Sequence, residues 1–292
     1  MSLLTTILFY FFILIISVLP FFLLYGFSNF LQLLMLHVVK YRKDVIEDNL
    51  KKAFPDKTEQ ERKVLLKKFY RNLTDNLVES LKTFTMRKAE IVRRHKIRNP
   101  ELLEPYLKAG KSLIGVTAHY SNWEWGSLSG SLQSAYHFAA FYKPMRNKRI
   151  DKIIRNSRSR CGTQLVSIYD TSKAFEQYQG TPTVFLMAAD QSPSGRQLPK
   201  AYWFDFLGRR TAFLHGVEKH AHHNNYPVVY IDIQRVKRGF YEVELSVLVE
   251  NPAALKDGEI TERYVRKLES VIQKAPENWL WSHKRWKHTP QQ

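Results

Sequence analysis

From Met1 to Val39 the chain has no Asp, Glu, Lys or Arg, and His37 is its only basic side chain. A bilayer core needs about 20 consecutive apolar residues, so this run is long enough to span one. The expected span is Leu3 to Leu24, kinked at Pro20 and broken at Gly26-Phe27-Ser28-Asn29. Phe30 to Val39 would then lie along the interface or join the rest of the protein. No basic segment precedes the run and no small-residue cleavage site follows it, which disfavours a signal peptide. Lys40, Arg42 and Lys43 come immediately afterwards, a placement that predicts a single pass with the body of the chain on the cytoplasmic side.

Beyond the anchor the pattern turns amphipathic. Thr58-Glu59-Gln60-Glu61 is a capping-box sequence that should start a helix. Leu65, Phe69, Leu73, Leu77, Leu81 and Phe84 follow at spacings of four or three, predicting a core-facing stripe opposite a solvated polar face. After a basic connector, Arg87 to Lys96, β-rich runs stand at Leu113–Thr117, His137–Tyr142, Thr183–Ala189, Val228–Ile233 and Tyr241–Val249. Helical stretches separate several of them: about Trp123–Ser134, Asn147–Arg160, Ala212–His222 and Thr261–Lys274. This alternation predicts an α/β fold, a central mixed and largely parallel sheet flanked by helices. No Gly/Ser linker or repeat divides the body, so two parts are expected: a membrane anchor and interfacial segment (1–39) and one cytoplasmic domain (40–292).

Composition narrows the partners. An apolar fraction of 44% argues against disorder, and a lone cysteine, Cys161, excludes an internal disulfide and suits a reducing compartment. The formal charge of +18 implies an anionic partner: nucleic acid, anionic lipid or a phosphorylated substrate. The anchor favours the lipid readings and leaves a nucleic-acid or purely membrane-binding protein as the non-catalytic alternative. Gly110-Lys111-Ser112 imitates a phosphate-binding loop, but Pro105 stands where its first glycine belongs. Ser127 and Ser129 lack the flanking glycines of a nucleophile elbow. His215, His220, His222 and His223 lack metal-ligand spacing and read as surface or interface histidines on a helix end, so no metal or other cofactor is expected.

The stretch Ala118-His119-Tyr120-Ser121-Asn122-Trp123-Glu124-Trp125-Gly126 sits directly behind the first β-rich run. On one continuous helix, residues five apart do not face each other. His119 and Glu124 can meet if His119 lies in the turn after a strand and Glu124 in the first turn of a helix capped by Asn122. Glu124 would then orient the imidazole, leaving its second nitrogen as a general base. A helix N-terminus beside the pair would favour an oxyanion or phosphate. By itself, H-x4-E is a weak pattern, equally consistent with a structural histidine.

Three further blocks strengthen it: Phe141-Tyr142-Lys143-Pro144 with Asn147, Arg149, Arg155, Arg158 and Gly162; Ala188-Ala189-Asp190-Gln191 with Phe204 to Gly208 and Thr211; and Pro276 to Lys287, PENWLWSHKRWK. With AHYSNWE and the upstream Asn49-Leu50 and Ala53-Phe54-Pro55, these resemble the signature blocks of the late-acting lipid A biosynthesis acyltransferases, over about residues 40 to 289. The resemblance implies a glycerolipid-acyltransferase-like fold and assigns the catalytic pair to His119 and Glu124. It also implies direct transfer of a fatty acyl chain from a thioester, on acyl carrier protein or coenzyme A, to a hydroxyl of a phosphorylated glycolipid at the inner membrane. Asn122, Arg149, Arg155, Arg158, Asp190, Gln191 and Arg285 are the implied substrate-binding positions. Trp279, Trp281 and Trp286, interleaved with His283, Lys284, Arg285 and Lys287, suit a lipid-headgroup contact. The E-G-T-R pattern of glycerophosphate acyltransferases is absent, the nearest imitation being Gln179-Gly180-Thr181-Pro182. An amino-acid lipid or lysophospholipid is the alternative acceptor.

Overall fold

The computed structural model describes residues 3–288. The apolar run after Lys111 forms the middle of a seven-stranded sheet. In chain order its strands are β1 (His95–Ile97), β2 (Leu113–Thr117), β3 (His137–Tyr142), β4 (Gln164–Ser167), β5 (Thr183–Ala188), β8 (Val228–Lys237) and β9 (Phe240–Val249). The spatial order is β1-β9-β8-β2-β5-β3-β4, and only the β8–β9 hairpin pairs antiparallel. The mixed, largely parallel sheet predicted from the alternation is therefore present. A separate hairpin, β6 (Tyr202–Phe206) and β7 (Arg209–Phe213), turns at Leu207-Gly208, both with positive φ. Part of the segment predicted as a helix from Ala212 is thus strand, and the helix begins only at Gly216.

Helices cover both faces: α1 (Leu3–Val18), α2 (Phe21–Leu33), α3 (Lys43–Ala53), α4 (Glu59–Lys82), α5 (Lys88–Arg94), α6 (Glu104–Lys108), α7 (Trp123–Gln133), α8 (Lys148–Ser159), α9 (Thr171–Gln177), α10 (Gly216–Asn224) and α11 (Glu259–Lys274). One apolar layer joins α3, α4, α10 and α11 to the sheet through Ile46, Phe69, Val217, Tyr264 and Leu268. The opposite layer packs α7 over β2, β3 and β5 through Trp125, Leu128 and Phe138. Gly130 permits this close approach, because a Cβ there would lie 2.9 Å from the Phe138 ring.

The N-terminal helices differ from the expected single span. Proline ends the first helix, since its ring and missing N–H break the hydrogen-bond ladder. The break falls at Leu19-Pro20, whereas Gly26 to Asn29 continue as helix. Among the described residues, the helical run long and apolar enough to cross a membrane is Phe21–Val38, ending in a π-helical turn at Leu34–Val38. α2 is also tied to the body by polar contacts: Tyr25 Oη donates to Glu79 (2.8 Å), Ser28 Oγ to Asp75 (2.6 Å), and Arg238 to Asn29 (2.8 Å). Its other side leaves Phe22 and Phe30 at 74% and 60% exposed, and α1 leaves Phe11 and Phe12 exposed as well.

α4 carries the capping box expected at Thr58 and Glu61. Its polar face is solvated over the first turns, where Lys63, Lys67, Lys68 and Arg71 are exposed, but not further along. Asp75, Asn76 and Glu79 are buried while Leu77 is exposed. The sequence period could not reveal that α2 and the β8–β9 hairpin cover that face, with Arg235 and Arg238 neutralising Asp75 at 2.5 and 2.6 Å.

Candidate active site

β2 and β5 are parallel neighbours in which Thr117 lies opposite Ala188. His119 and Asp190 each stand two residues beyond that pair, at the carboxyl ends of adjacent strands, where open α/β sheets gather their ligand-facing loops. His119 Nδ1 is 2.7 Å from Asp190 Oδ1. The second carboxylate oxygen accepts a 2.9 Å hydrogen bond from Trp279 Nε1. An ionised carboxylate only accepts, so the proton must sit on Nδ1 of the neutral ring. The lone pair of Nε2 is then left outward, 3.3 Å from the amide nitrogen of Gln191.

Burial opposes charge on both partners, but each is more strongly stabilised by the other. The imidazole is raised above its ordinary pKa by the Asp190 charge and hydrogen bond. Asp190, fully enclosed, is held down to about 2 by the His119 charge and by hydrogen bonds from His119 and Trp279. The pair therefore keeps a carboxylate where it can orient the ring and stabilise it when protonated.

The loop carrying His119 is clamped from behind by the C-terminal block. Leu280 N donates to His119 O (3.0 Å), Ser121 N donates to Asn278 O (2.8 Å), and Tyr120 bridges to Trp279. Ser121 adopts a positive φ of 55°, a rare conformation for a side-chain-bearing residue that the clamp must sustain. Asn49 Nδ2 in turn donates to the carbonyls of Trp281 and His283, both at 2.8 Å. Burial pushes His283 down to about 4, so its neutral Nε2 accepts from Ser192 N at 3.0 Å.

Glu124 lies in the first turn of α7, as the pattern predicts, but no hydrogen bond joins it to the imidazole. Arg158 on α8 takes it in a two-pronged ion pair, Nε to Oε2 at 2.7 Å and Nη2 to Oε1 at 2.6 Å. The Trp123 ring instead packs against the imidazole, with centroids 5.3 Å apart. The orienting position expected for Glu124 is therefore occupied by Asp190.

The remaining expected positions separate. Gln191 and Arg158 reach the site. Asn122 is buried as the α7 cap, accepting from Trp125 N (3.0 Å) and donating to Glu79 (2.6 Å), and faces no ligand space. Arg149 and Arg155 are exposed on the outer face of α8. Arg285 is 2% exposed, donates to Ala212 O (2.8 Å) and stacks on Phe213. Burial lowers its pKa to about 10. It cannot meet a headgroup, and neither can Trp279 or Trp281, which are buried in the core. The amphipathic look of PENWLWSHKRW arises from packing between α3, α11 and the loop that carries His119. His220 likewise is no surface residue: it is buried, stacked on Phe175 at 4.3 Å. Trp279 and Glu79 are the contributors that sequence reasoning missed. The indole stood in a quoted block but was read as a lipid contact, and a glutamate on a supposedly solvated helix face gave no signal.

A cavity of about 380 Å³ opens at His119 and runs between α7 and the sheet. Leu113, Phe138, Val184, Leu186, Ile231 and Leu245 line its apolar depth, while Glu124, Lys143, Arg158 and Gln191 lie near His119 and the opening. The family model for bacterial lipid A biosynthesis acyltransferases matches residues 2–288. The chain belongs to that family. No individual curated protein matches the sequence. Membership makes the protein an acyltransferase, an enzyme that handles an acyl donor and a lipid acceptor. In this acyltransferase the imidazole stands at the junction of an apolar hole and a charged rim, an arrangement suited to a substrate that joins a hydrocarbon chain to a polar reacting group.

Proposed function

We propose that this acyltransferase moves a fatty acyl chain from a thioester, carried on acyl carrier protein, to a hydroxyl of a phosphorylated lipid A precursor at the cytoplasmic face of the inner membrane. The acyl chain occupies the cavity beneath α7, which brings the thioester carbonyl to its opening. His119 Nε2 accepts the proton of the acceptor hydroxyl as its oxygen attacks that carbonyl. The resulting oxyanion forms near Arg158, whose guanidinium is held in place by Glu124. Collapse of the tetrahedral intermediate breaks the carbon–sulfur bond, and the imidazolium returns its proton to the departing thiolate. Asp190 fixes the ring and stabilises the imidazolium without itself taking up the proton. No covalent acyl-enzyme is required.

The observation that carries this reading is the hydrogen bond from His119 Nδ1 to a buried carboxylate, with Nε2 turned to the mouth of an apolar cavity, 3.3 Å from the Gln191 amide nitrogen. The apolar surfaces of α1 and α2 and the charge of +18 support a site at an anionic membrane. The test is to incubate the purified protein with acyl carrier thioesters and a panel of lipid acceptors, including lysophospholipids and amino-acid lipids, and to weigh the products by mass spectrometry. Lipid A precursors are expected to gain one acyl chain. His119→Ala should abolish that product while folding and membrane association persist. Near-wild-type turnover in this variant would refute the mechanism.

A further inference from the structure

The outer face of α8 and the loop before it carry a charge excess that the acyl-transfer mechanism does not use. Lys143, Arg146, Lys148, Arg149, Lys152 and Arg155 are all exposed. Asp151 is the only carboxylate between positions 143 and 160. It is engaged locally, accepting from Tyr142 Oη at 3.0 Å and from Met145 N at 2.8 Å. A solvated helix face usually interleaves both signs of charge, and this one does not. Beside these cations three large apolar side chains face water: Met145 at 46%, Ile168 at 43% and Tyr169 at 73% exposed. Ile168 lines the cavity opening together with Lys143, and its backbone N–H donates to Tyr142 O at 3.0 Å. Lys143 and Ile168 thus join this cationic and apolar surface to the substrate entrance.

The rim also lies close to the N-terminal helices. Lys82 Nζ donates to the carbonyls of Ser17 and Leu19, at 2.6 and 2.7 Å, at the end of α1. One residue on, Thr83 Oγ1 is 3.0 Å from Ser157 Oγ on α8. A single turn of chain thus borders both the end of α1 and the helix that bears the cations.

We propose that α8 and the cavity rim form a second membrane contact, with the cations on anionic lipid headgroups and Met145, Ile168 and Tyr169 dipping among them, so that the cavity opens onto the bilayer surface. Basic clusters next to a membrane-seated segment bind anionic lipid in this way, and exposed apolar residues among them suit the headgroup layer better than open water. The proposal rests on reading α1 and α2 as seated in lipid and is independent of the roles of His119 and Asp190. It makes lipid entry direct: an acceptor lipid reaches His119 from the membrane without passing through water.

The test uses the full chain with Tyr169→Cys, labelled with an environment-sensitive fluorophore. The native Cys161 is buried, so labelling is selective. The protein is reconstituted in phosphatidylcholine vesicles with or without phosphatidylglycerol. The expected result is a blue shift only with the anionic lipid, reversed by high salt. Each basic residue at an anionic surface is worth about a fivefold change in partitioning. Lys148→Glu and Lys152→Glu together should therefore reduce the shifted population more than tenfold. Emission that ignores lipid charge would overturn the proposal. So would a response confined to added acidic acyl carrier protein, which would assign the rim to a protein partner.

Discussion

Asp190→Asn tests the site at its centre, and the structure dictates how the variant should fail. Asparagine fills the same space but has one oxygen and one NH2 group. Trp279 Nε1 stands 2.9 Å from the present Oδ2 and can only donate. The amide must therefore turn its oxygen toward Trp279 and its NH2 toward His119 Nδ1. The imidazole can accept that hydrogen bond only by moving its own proton to Nε2, the nitrogen that should take the acceptor's proton. Where the same exchange has been made in other His–Asp acyl-transfer sites, the wrong tautomer costs on the order of 10⁴ in turnover, or about 5.5 kcal/mol of barrier.

This reasoning makes a counter-intuitive demand on the double variant. With Trp279→Phe added, the indole no longer holds the amide oxygen, and the substituted side chain can rotate it toward Nδ1. The productive tautomer returns without the carboxylate charge, so Trp279→Phe/Asp190→Asn should be at least tenfold faster than Asp190→Asn alone. The assay is steady-state acyl transfer by mass spectrometry, with thermal denaturation confirming that each variant folds. A pH profile gives a second readout. A general base works only when neutral, so activity falls as pH drops through the imidazole pKa. Asp190 raises that pKa, placing the native acid limb above the ordinary histidine value; in Asp190→Asn the limb of the residual activity should move to lower pH. Asp190→Asn turnover within tenfold of wild type, or a double variant slower than Asp190→Asn, would refute the tautomer argument.

Two other outcomes follow from the packing around the site. Gly126 lines the cavity from the underside of α7, and its Cβ position lies 3.8 Å from Ile233. Gly126→Leu should leave the helix intact, gaining about 0.8 kcal/mol in helix propensity, yet fill the cavity and shift competition assays toward shorter acyl thioesters; unchanged chain selectivity in an active variant would refute the acyl-chain assignment. Glu79, fully buried and pushed up to about 7 by that burial, accepts from Tyr25, Asn122 and Tyr241 at 2.8, 2.6 and 2.7 Å. Glu79→Ala leaves three donors unpaired, a cost of about 3 kcal/mol or more, and should lower the melting temperature by about 6 °C or more; an unchanged melting temperature would show that water or repacking satisfies them.

What the sequence disclosed depended on whether a contact is local or crosses the sheet. The strand-to-helix turn at AHYSNWE was legible, because the apolar run ends at Thr117 and Asn122 is a strong cap, and both features lie close together in the chain. From that turn alone Glu124 was the natural partner for His119. Asp190 lies 71 residues away, and its approach is fixed by β2 pairing with β5 in a register that sets Thr117 against Ala188. Strand order in a parallel sheet leaves no local periodicity, so spacing could not choose between the two acids. The same limit explains the C-terminal block. Trp279, Trp281 and Arg285 have the composition of a membrane-interface segment, and only the paths of α3 and α11 convert them into the backing of the His119 loop. Asp75 and Glu79 make the converse case: helical period put them on a polar face, yet α2 covers that face with Ser28 and Tyr25. The helix read as a membrane element is therefore hydrogen-bonded to Glu79, and Glu79 to Asn122, the cap of the helix that begins beside His119. The proposed membrane element and the geometry around His119 thus share one buried carboxylate, a link that joins positions 25, 79 and 122.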